Sequence, residues 1–548
     1  MPETVAPIAL AIEDLTTNER LLVQSALLGR TLDLRGAVDD ANSEVRAAVV
    51  AQLLVSPATL LPKAPIAVRL RGAVITGQLN LGGHILGCSL ELVDCILDKP
   101  IVLTKATASN VNLRGSRVYG LHANFARIAG TLNLSGGFHC TGQAKLSGAQ
   151  LGQLEAEGAV FYNPRGLSVR ADYLVVDGFA TFERSDLFGT LRMLGARING
   201  QLDCSSAQII APAGKDAVEL DSARIVGGVF FNEARVVGGV WLVGLQAEGE
   251  VTFTGASVEN AGAIAIDASS TRLRNVDLSG AQIEGEVKIA AAELSSLDCF
   301  DSEFRAPADA SLDLDSTTIS GAFHAHFATI EGRLDLTNTT MGVYRDAQAS
   351  WPPEARLIGA SYNKLEGDED SLASDTGKLV DRLGWLKLDA RYHPQKYAAL
   401  AAAYSNVGHE AFGRRVLIAG EHQRRLARTS GLIKALAWSW SMLIRILVGY
   451  GYAPARAIWS LLVLVALGSV AAWWGHSLGA IALIPGKQVE FNPLRYSVDL
   501  LFPVAGLPDS DAFFTYGLAS WLAFGLAIAG WFLAAVVVAA LAGLLRRT

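Results

Sequence analysis

His324 and His326 are the nearest thing in this chain to a metal-binding pattern, because His-x-His on a strand sends both rings to one face. Asp313 and Asp315 lie close by in sequence and would stack one repeat unit away. A structural metal site needs four placed ligands, and no third one is fixed by spacing. The two histidines are therefore metal candidates on spacing alone, and the plainer reading is a hydrogen-bonded pair at an irregularity of the fold. In the register of the next repeat copy Ala328 and Ile330 face inward, so both rings are expected to face inward too. The second notable residue is Asp499, a carboxylate in the otherwise apolar FNPLRYSVDLLFPVAGLPDSDAFF. Within a membrane it would be functional by default, as part of a re-entrant pore loop. On an interfacial helix, the expected placement, it would face water. No potassium-filter sequence accompanies it.

The remaining chemistry-bearing types point away from catalysis. Five cysteines, Cys88, Cys95, Cys140, Cys204 and Cys299, form no Cys-x-x-Cys pair, and Cys204 ends an apolar row, so they read as small buried hydrophobes. That usage suits a reducing, cytoplasmic setting. The doublets Gly227-Gly228 and Gly238-Gly239 fall inside strand patterns rather than between a strand and a helix, so they cannot cradle a pyrophosphate. No P-loop, nucleophile elbow or HExxH occurs. Outward Asp/Glu pairs are plentiful, and some β-helices hydrolyse polysaccharide with such pairs, but an intracellular solenoid would not meet those polymers. No catalytic or cofactor-binding residue is assigned, and no cofactor is expected.

What would position any of these side chains is a repeat. Ala-x-(Ile/Val)-x-Gly-x-(Leu/Val)-x-apolar begins at Ala73, Ala126, Ala196, Ala223, Ala234, Ala281 and Ala328, as in ARINGQLDC and ATIEGRLDL. Small and apolar residues alternate in each copy, which is strand periodicity, and no helix separates adjacent copies. The fold class is therefore mainly β: a single-stranded β-solenoid (β-helix, pentapeptide-like) in which each unit buries its apolar row against its neighbours. Consecutive copies such as Ala223 and Ala234 are half a coil apart. Stacked at ~4.8 Å per strand, roughly 13 coils give a rod of about 60 Å. Gly200, Gly227, Gly238, Gly285 and Gly332 suit a bend or close backbone approach, and the last residue of each unit turns the corner. Outward residues such as Arg197, Asp203, Arg224, Asn232, Arg333 and Asp335 make a solvated wall.

Around the repeat the sequence divides into an N-terminal helical cap (1–62), the β-solenoid (63–365), a cytoplasmic helical segment (366–435) and a membrane region (436–548). Thr16 and Glu19 form a capping box before NERLLVQSALLG, and NSEVRAAVVAQLLV is expected as a second helix. Tyr397, Leu400, Tyr404, Phe412 and Val416 have helical spacing, with Gly408 expected to let two helices approach. Two uncharged stretches, about 457–478 and 518–545, are long enough to span a bilayer. Basic residues precede the first, from Arg414 to Arg456, and follow the second at Arg546 and Arg547, whereas the connection holds Lys487 and Arg495; both termini are expected to be cytoplasmic. Trp459, Trp473, Trp474, Trp521 and Trp531 suit aromatic belts, and 431–452 suits the headgroup region. The expected localisation is a bacterial cytoplasmic membrane, multi-pass. The chain carries net charge -7, so phosphate neutralisation gives nucleic acid no support as a partner.

The stretches IEDLTTNERLLVQSALLG, ARINGQLDCSSAQI, GHEAFGRRVLIA and VGYGYAPARA, with the C-terminal hairpin, together resemble bacterial proteins described as membrane-associated oxidoreductase. The resemblance implies redox activity but supplies no catalytic motif for positions here. The residues themselves favour a membrane-anchored scaffold that shows its wall to a protein partner. One alternative is a pore-forming channel, with the solenoid as sensor and a homo-oligomer packed through Gly517, Gly525 and Gly530. The other is the oxidoreductase of the resemblance.

Overall fold

In the computed structural model, residues 10–35, 43–61, 63–306, 310–367, 382–427, 454–485, 487, 489–501 and 512–545 are described. The chain divides into two compact units, Met1–Ala390 and Arg391–Thr548.

The first unit is a β-solenoid of about 14 turns. Its strands form two sheets, of 20 and 21 strands, in which all pairings are parallel. Successive half-coils alternate between them: Arg224–Ile225 pairs with Arg197–Ile198 in one sheet, Arg235–Val237 with Gln208–Ile210 in the other. Many strands are only two residues long, so each is held by the turns above and below it rather than by its own length. The inward rows are fully buried, Ala196, Ile198, Leu202 and Cys204 among them, and phenylalanines stack down the interior, Phe138 on Phe161 and Phe161 on Phe182 at 5.9 and 6.1 Å. Each large apolar side chain so buried contributes roughly 1.5–3 kcal/mol.

Three local devices recur along the stack. At the mid-strand bend, successive turns approach backbone to backbone: a Cβ at Gly227 would lie 2.7 Å from the Gly200 carbonyl oxygen, and the Gly227 amide donates to that oxygen at 2.9 Å. On the other sheet the equivalent Gly238 instead has φ +116. At each corner one residue is left-handed, a Gly in some turns (Gly195, Gly280) and Ser206, Ser222 or Glu233 in others. Just before the corner an outward Asp or Asn accepts from the backbone amide two residues on: Asn133 from Ser135 at 3.0 Å, Asp203 from Ser205 at 2.9 Å, Asp277 from Ser279 at 2.8 Å. On one edge every second turn also extrudes a loop. Asn163 braces the first by donating to the Leu167 carbonyl at 2.7 Å, and Asn260, four turns on, braces its loop identically through Ile264.

The ends are built differently. The first coil starts at Leu32, within the stretch expected to be a helical cap, since Leu32–Asp33 pairs with Leu70–Arg71 and Glu44–Arg46 with Val74–Thr76. Glu44–Arg46 is therefore a short strand before its helix. Helices α1 (Thr17–Leu28) and α2 (Ala47–Val55) flank that coil; α1 carries the Thr16/Glu19 capping box, and Glu19, fully buried, also holds the Arg46 guanidinium at 2.6 Å. At the far end Trp385, fully buried, packs on Tyr344 and Tyr362, Arg382 pairs with buried Asp346 at 2.6 Å, and Asp389 accepts the Leu357 amide at 3.1 Å. That segment covers edge groups that would otherwise pair with another chain.

In the second unit α3 (Pro394–Asn406) and α4 (Glu410–Ala427) form a helical hairpin. Gly408 does not bring them together as expected: with φ +84 and open space about it, it makes the turn. The close approach comes from Gly413, over the Ala401 carbonyl, and Gly420, over the Tyr397 ring. Then follow α5 (Pro454–Ser477), an antiparallel pair of short strands (Ile481–Leu483 with Phe513–Thr515), and α6 (Pro493–Leu501) and α7 (Leu518–Leu545). Among the described residues one stretch, Trp459–Ser477 in α5, is long and apolar enough to cross a membrane. Helix α7 has 28 residues, and its described side chains give a shorter apolar stretch, Ala519–Phe532. Segment 431–452 lies outside the described residues, as do Arg546 and Arg547.

Candidate functional site

His324 and His326 do not face inward. The buried row there is Phe323, Ala325, Phe327 and Ile330, and Ala328 is exposed. Phe327 takes the place that alanine holds in the other copies and packs edge-on against Phe304 at 5.4 Å, which shifts the inward phase. The rings instead flank the half-exposed Phe300, His326 stacked on it at 4.9 Å and His324 tilted at 5.2 Å. The carboxylate beside His324 is Asp298, one turn earlier in register, rather than Asp313 or Asp315. Asp313 faces out on the other sheet, where it accepts the Asp315 amide and caps a corner.

His324 Nε2 lies 3.0 Å from an Arg345 guanidinium nitrogen, which can only donate, so Nε2 accepts and the ring proton sits on Nδ1, donated to Asp298. Arg345 also pairs with Glu366 on the next turn. Asp298, His324, Arg345 and Glu366 are thus a ladder of alternating character, one rung per turn, that occupies both nitrogens of His324. Among the described residues no three His, Cys, Asp or Glu side chains converge as metal ligands.

The cysteines are buried and unpaired. Burial pushes the thiols of Cys95 and Cys140 up to about 11 and about 12, which suppresses the reactive thiolate.

One surface was not signalled by the repeat. In one sheet, outward residues of successive turns align as His122, Lys145, Arg170 and Arg192, with Asp172 bridging the two arginines at 2.8 and 3.0 Å. Beside this column, across the bend, runs an apolar ridge with exposed Tyr119, then Thr141, Tyr162 and Phe188, the last two in edge contact at 5.5 Å. Aromatic and arginine side chains side by side are the types that carry most binding energy at protein interfaces. Pairing their positions one coil apart in the sequence would have found them.

In the second unit Asp499 is not on a water-facing helix surface: it is 3% exposed, on α6. Helix α6 packs against both α5 and α7, with Ser497 against Gly468 and the Leu501 carbonyl against Gly530. Of the three glycines expected to pack copies together, Gly530 is therefore used inside the chain, and Gly517 and Gly525 have open space. A cavity of about 310 Å³ lies beside α6, lined by Gly468, Ala471, Tyr496, Ser497, Ala519 and Ala523 among others. The Ser497 hydroxyl is buried without a hydrogen-bond partner. Trp459, Trp473, Trp474, Trp521 and Trp531 are all exposed.

Compared with known proteins, the chain matches no protein-family model and no curated protein.

Proposed function

We propose that this protein is a membrane-anchored β-solenoid scaffold that docks a protein partner on its wall, with α5 and α7 as a two-pass anchor and both termini in the cytoplasm. The observation that carries the reading is the aromatic and basic surface running over four consecutive turns, from Tyr119 to Arg192, on a rigid parallel stack. Some outward carboxylates are tied up in ion pairs one turn apart, such as Arg235–Glu259 and Arg272–Glu293, while burial and the neighbouring Asp216 raise the carboxyls of Glu219 and Asp221. Helices α5 and α7 support the anchor by length and apolar composition, and the exposed tryptophans on them suit the lipid interface. An acidic group on the partner would be the complement of the basic column at Lys145, since Asp172 and Glu219 already pair with its two arginines. The oxidoreductase activity implied by resemblance gains nothing from the thiols, which burial holds protonated.

Photo-crosslinking in native membranes tests this. A cross-linker at Tyr119 or Tyr162 is expected to give one discrete adduct, lost on Lys145→Glu, while one at Val226 on the other sheet gives none. Equal adducts at all three positions, or none at any, would remove the scaffold reading.

A further inference from the structure

We propose that the cavity between α5 and α7, floored by α6, binds an uncharged, lipid-soluble ring compound with a carbonyl oxygen, the chemistry of a quinone head, and that Ser497 donates to that oxygen. This rests on reading α5 and α7 as spans.

The space comes from short side chains. Gly468, Ala471, Ala472 and Gly475 follow the i, i+3, i+4, i+7 spacing of one helix face on α5, and Ala519 and Ala523 lie one turn apart on α7. None of these six can reach across to fill the gap. Helix α6 packs against both helices and closes the inner side with Tyr496 and Ser497. The volume of about 310 Å³ is that of a small-molecule site rather than of a few buried waters. Trp474, Leu478 and Leu522 also line the cavity and are exposed, so its mouth opens on the surface that faces the acyl chains. A ligand enters sideways, from the bilayer.

Ser497 identifies the polar group of that ligand. The residue is 1% exposed, and its hydroxyl has no hydrogen-bond partner, not even the α6 carbonyl one turn back that a helical serine commonly uses. It meets Gly468, where a Cβ would sit 3.2 Å from the hydroxyl oxygen. Gly468 is the middle residue of the apolar stretch Trp459–Ser477, so this contact lies near the middle of a hydrocarbon core about 30 Å thick. A lone hydroxyl at that depth is satisfied by an oxygen that the ligand brings. Headgroup and ester oxygens of phospholipids stay at the edge of the core, so the bilayer lipid itself does not supply it. Among the described residues no charged side chain lines the cavity, which disfavours a carboxylate or an amine. Trp474, Tyr496 and Tyr516 lie around the same space, and their faces favour a planar ring over a flexible chain.

The test uses the full chain. Alkaline carbonate extraction of membranes comes first: release of the protein would overturn the spanning reading, and this site with it. If it stays, the purified protein goes into phosphatidylcholine nanodiscs and binding of radiolabelled decylubiquinone is measured against empty nanodiscs. The expected result is saturable binding, weakened about fivefold by Ser497→Ala through the loss of one neutral hydrogen bond, and abolished by Ala471→Leu with Ala523→Leu, which fills the space. Because Ser497→Ala removes an unsatisfied polar group, the thermal midpoint of the ligand-free protein should stay the same or rise; a lower midpoint would make Ser497 structural and overturn its role. Decanol, a chain with one oxygen and no ring, should displace the label at least tenfold less well than unlabelled decylubiquinone. No saturable binding, undiminished binding in the filled variant, or equal displacement by decanol would each overturn the site.

Discussion

The ends of the solenoid and its middle are held by different means. In the middle, each turn repeats the same small set of contacts: a glycine backbone against the turn below, a left-handed corner, an Asp or Asn closing that corner, and an apolar row. No single contact is large, and each turn needs only its neighbours. At each end one face has no neighbour, and a unique piece of chain covers it with a buried acid–arginine pair: Glu19 with Arg46 at the start, Asp346 with Arg382 at the finish. Repetition distributes stability, whereas termination concentrates it in a few residues that cannot be inferred from the repeat.

Breaking a terminal pair should therefore have the largest effect. Asp346→Leu leaves Arg382 buried and uncompensated, and a loss of about 3–5 kcal/mol is expected. Hydrogen exchange should localise it to strand Ser361–Glu366, and adding Arg382→Met should recover part of it. In the middle, Gly227→Val forces two backbones apart and should cost about 3 kcal/mol in denaturant unfolding. Equal costs for Gly227→Val and Gly525→Val, which has open space, would show that the bend is not a close-packed seam.

A milder discrimination comes from pH. Burial alone would raise the Glu19 carboxyl, but the Arg46 guanidinium and the Thr16 and Arg46 amides outweigh it and hold the group below its ordinary 4.5. Stability from that pair is thus fully present above pH 4.5 and lost as pH falls below it. Exchange protection of α1 should fade on acidification before that of the middle turns does. Smallest is Asp277→Ala, which removes one corner cap: about 1 kcal/mol, with Asp277→Asn close to neutral, read from the unfolding midpoint.

The solenoid was legible because alternation and a recurring glycine are local signals, and in six of the seven copies the repeat alanine is buried. The seventh failed at Ala328, where Phe327 displaces it and reverses the phase that His324 and His326 were read in. The corner rule was visible but unread: Asp203 and Asp335 look like solvated wall residues until their amide partners two positions on are seen. The cap at Asp346, Arg382 and Trp385 depends on contacts across a change of pattern, which periodicity does not report. Asp499 stood out by type, but its burial depends on Gly468 and Gly530 on two other helices. Nothing in the neighbourhood of Asp499 encodes that.

Loops are extruded on alternate turns, with those braced by Asn163 and Asn260 four turns apart, so along that edge the molecule counts in twos. A designer lengthening the rod by a pair of turns would keep this comb in phase and extend it. Inserting a single turn would set two extruding loops face to face, or two glycine bends, and break the rhythm for every tooth beyond the graft.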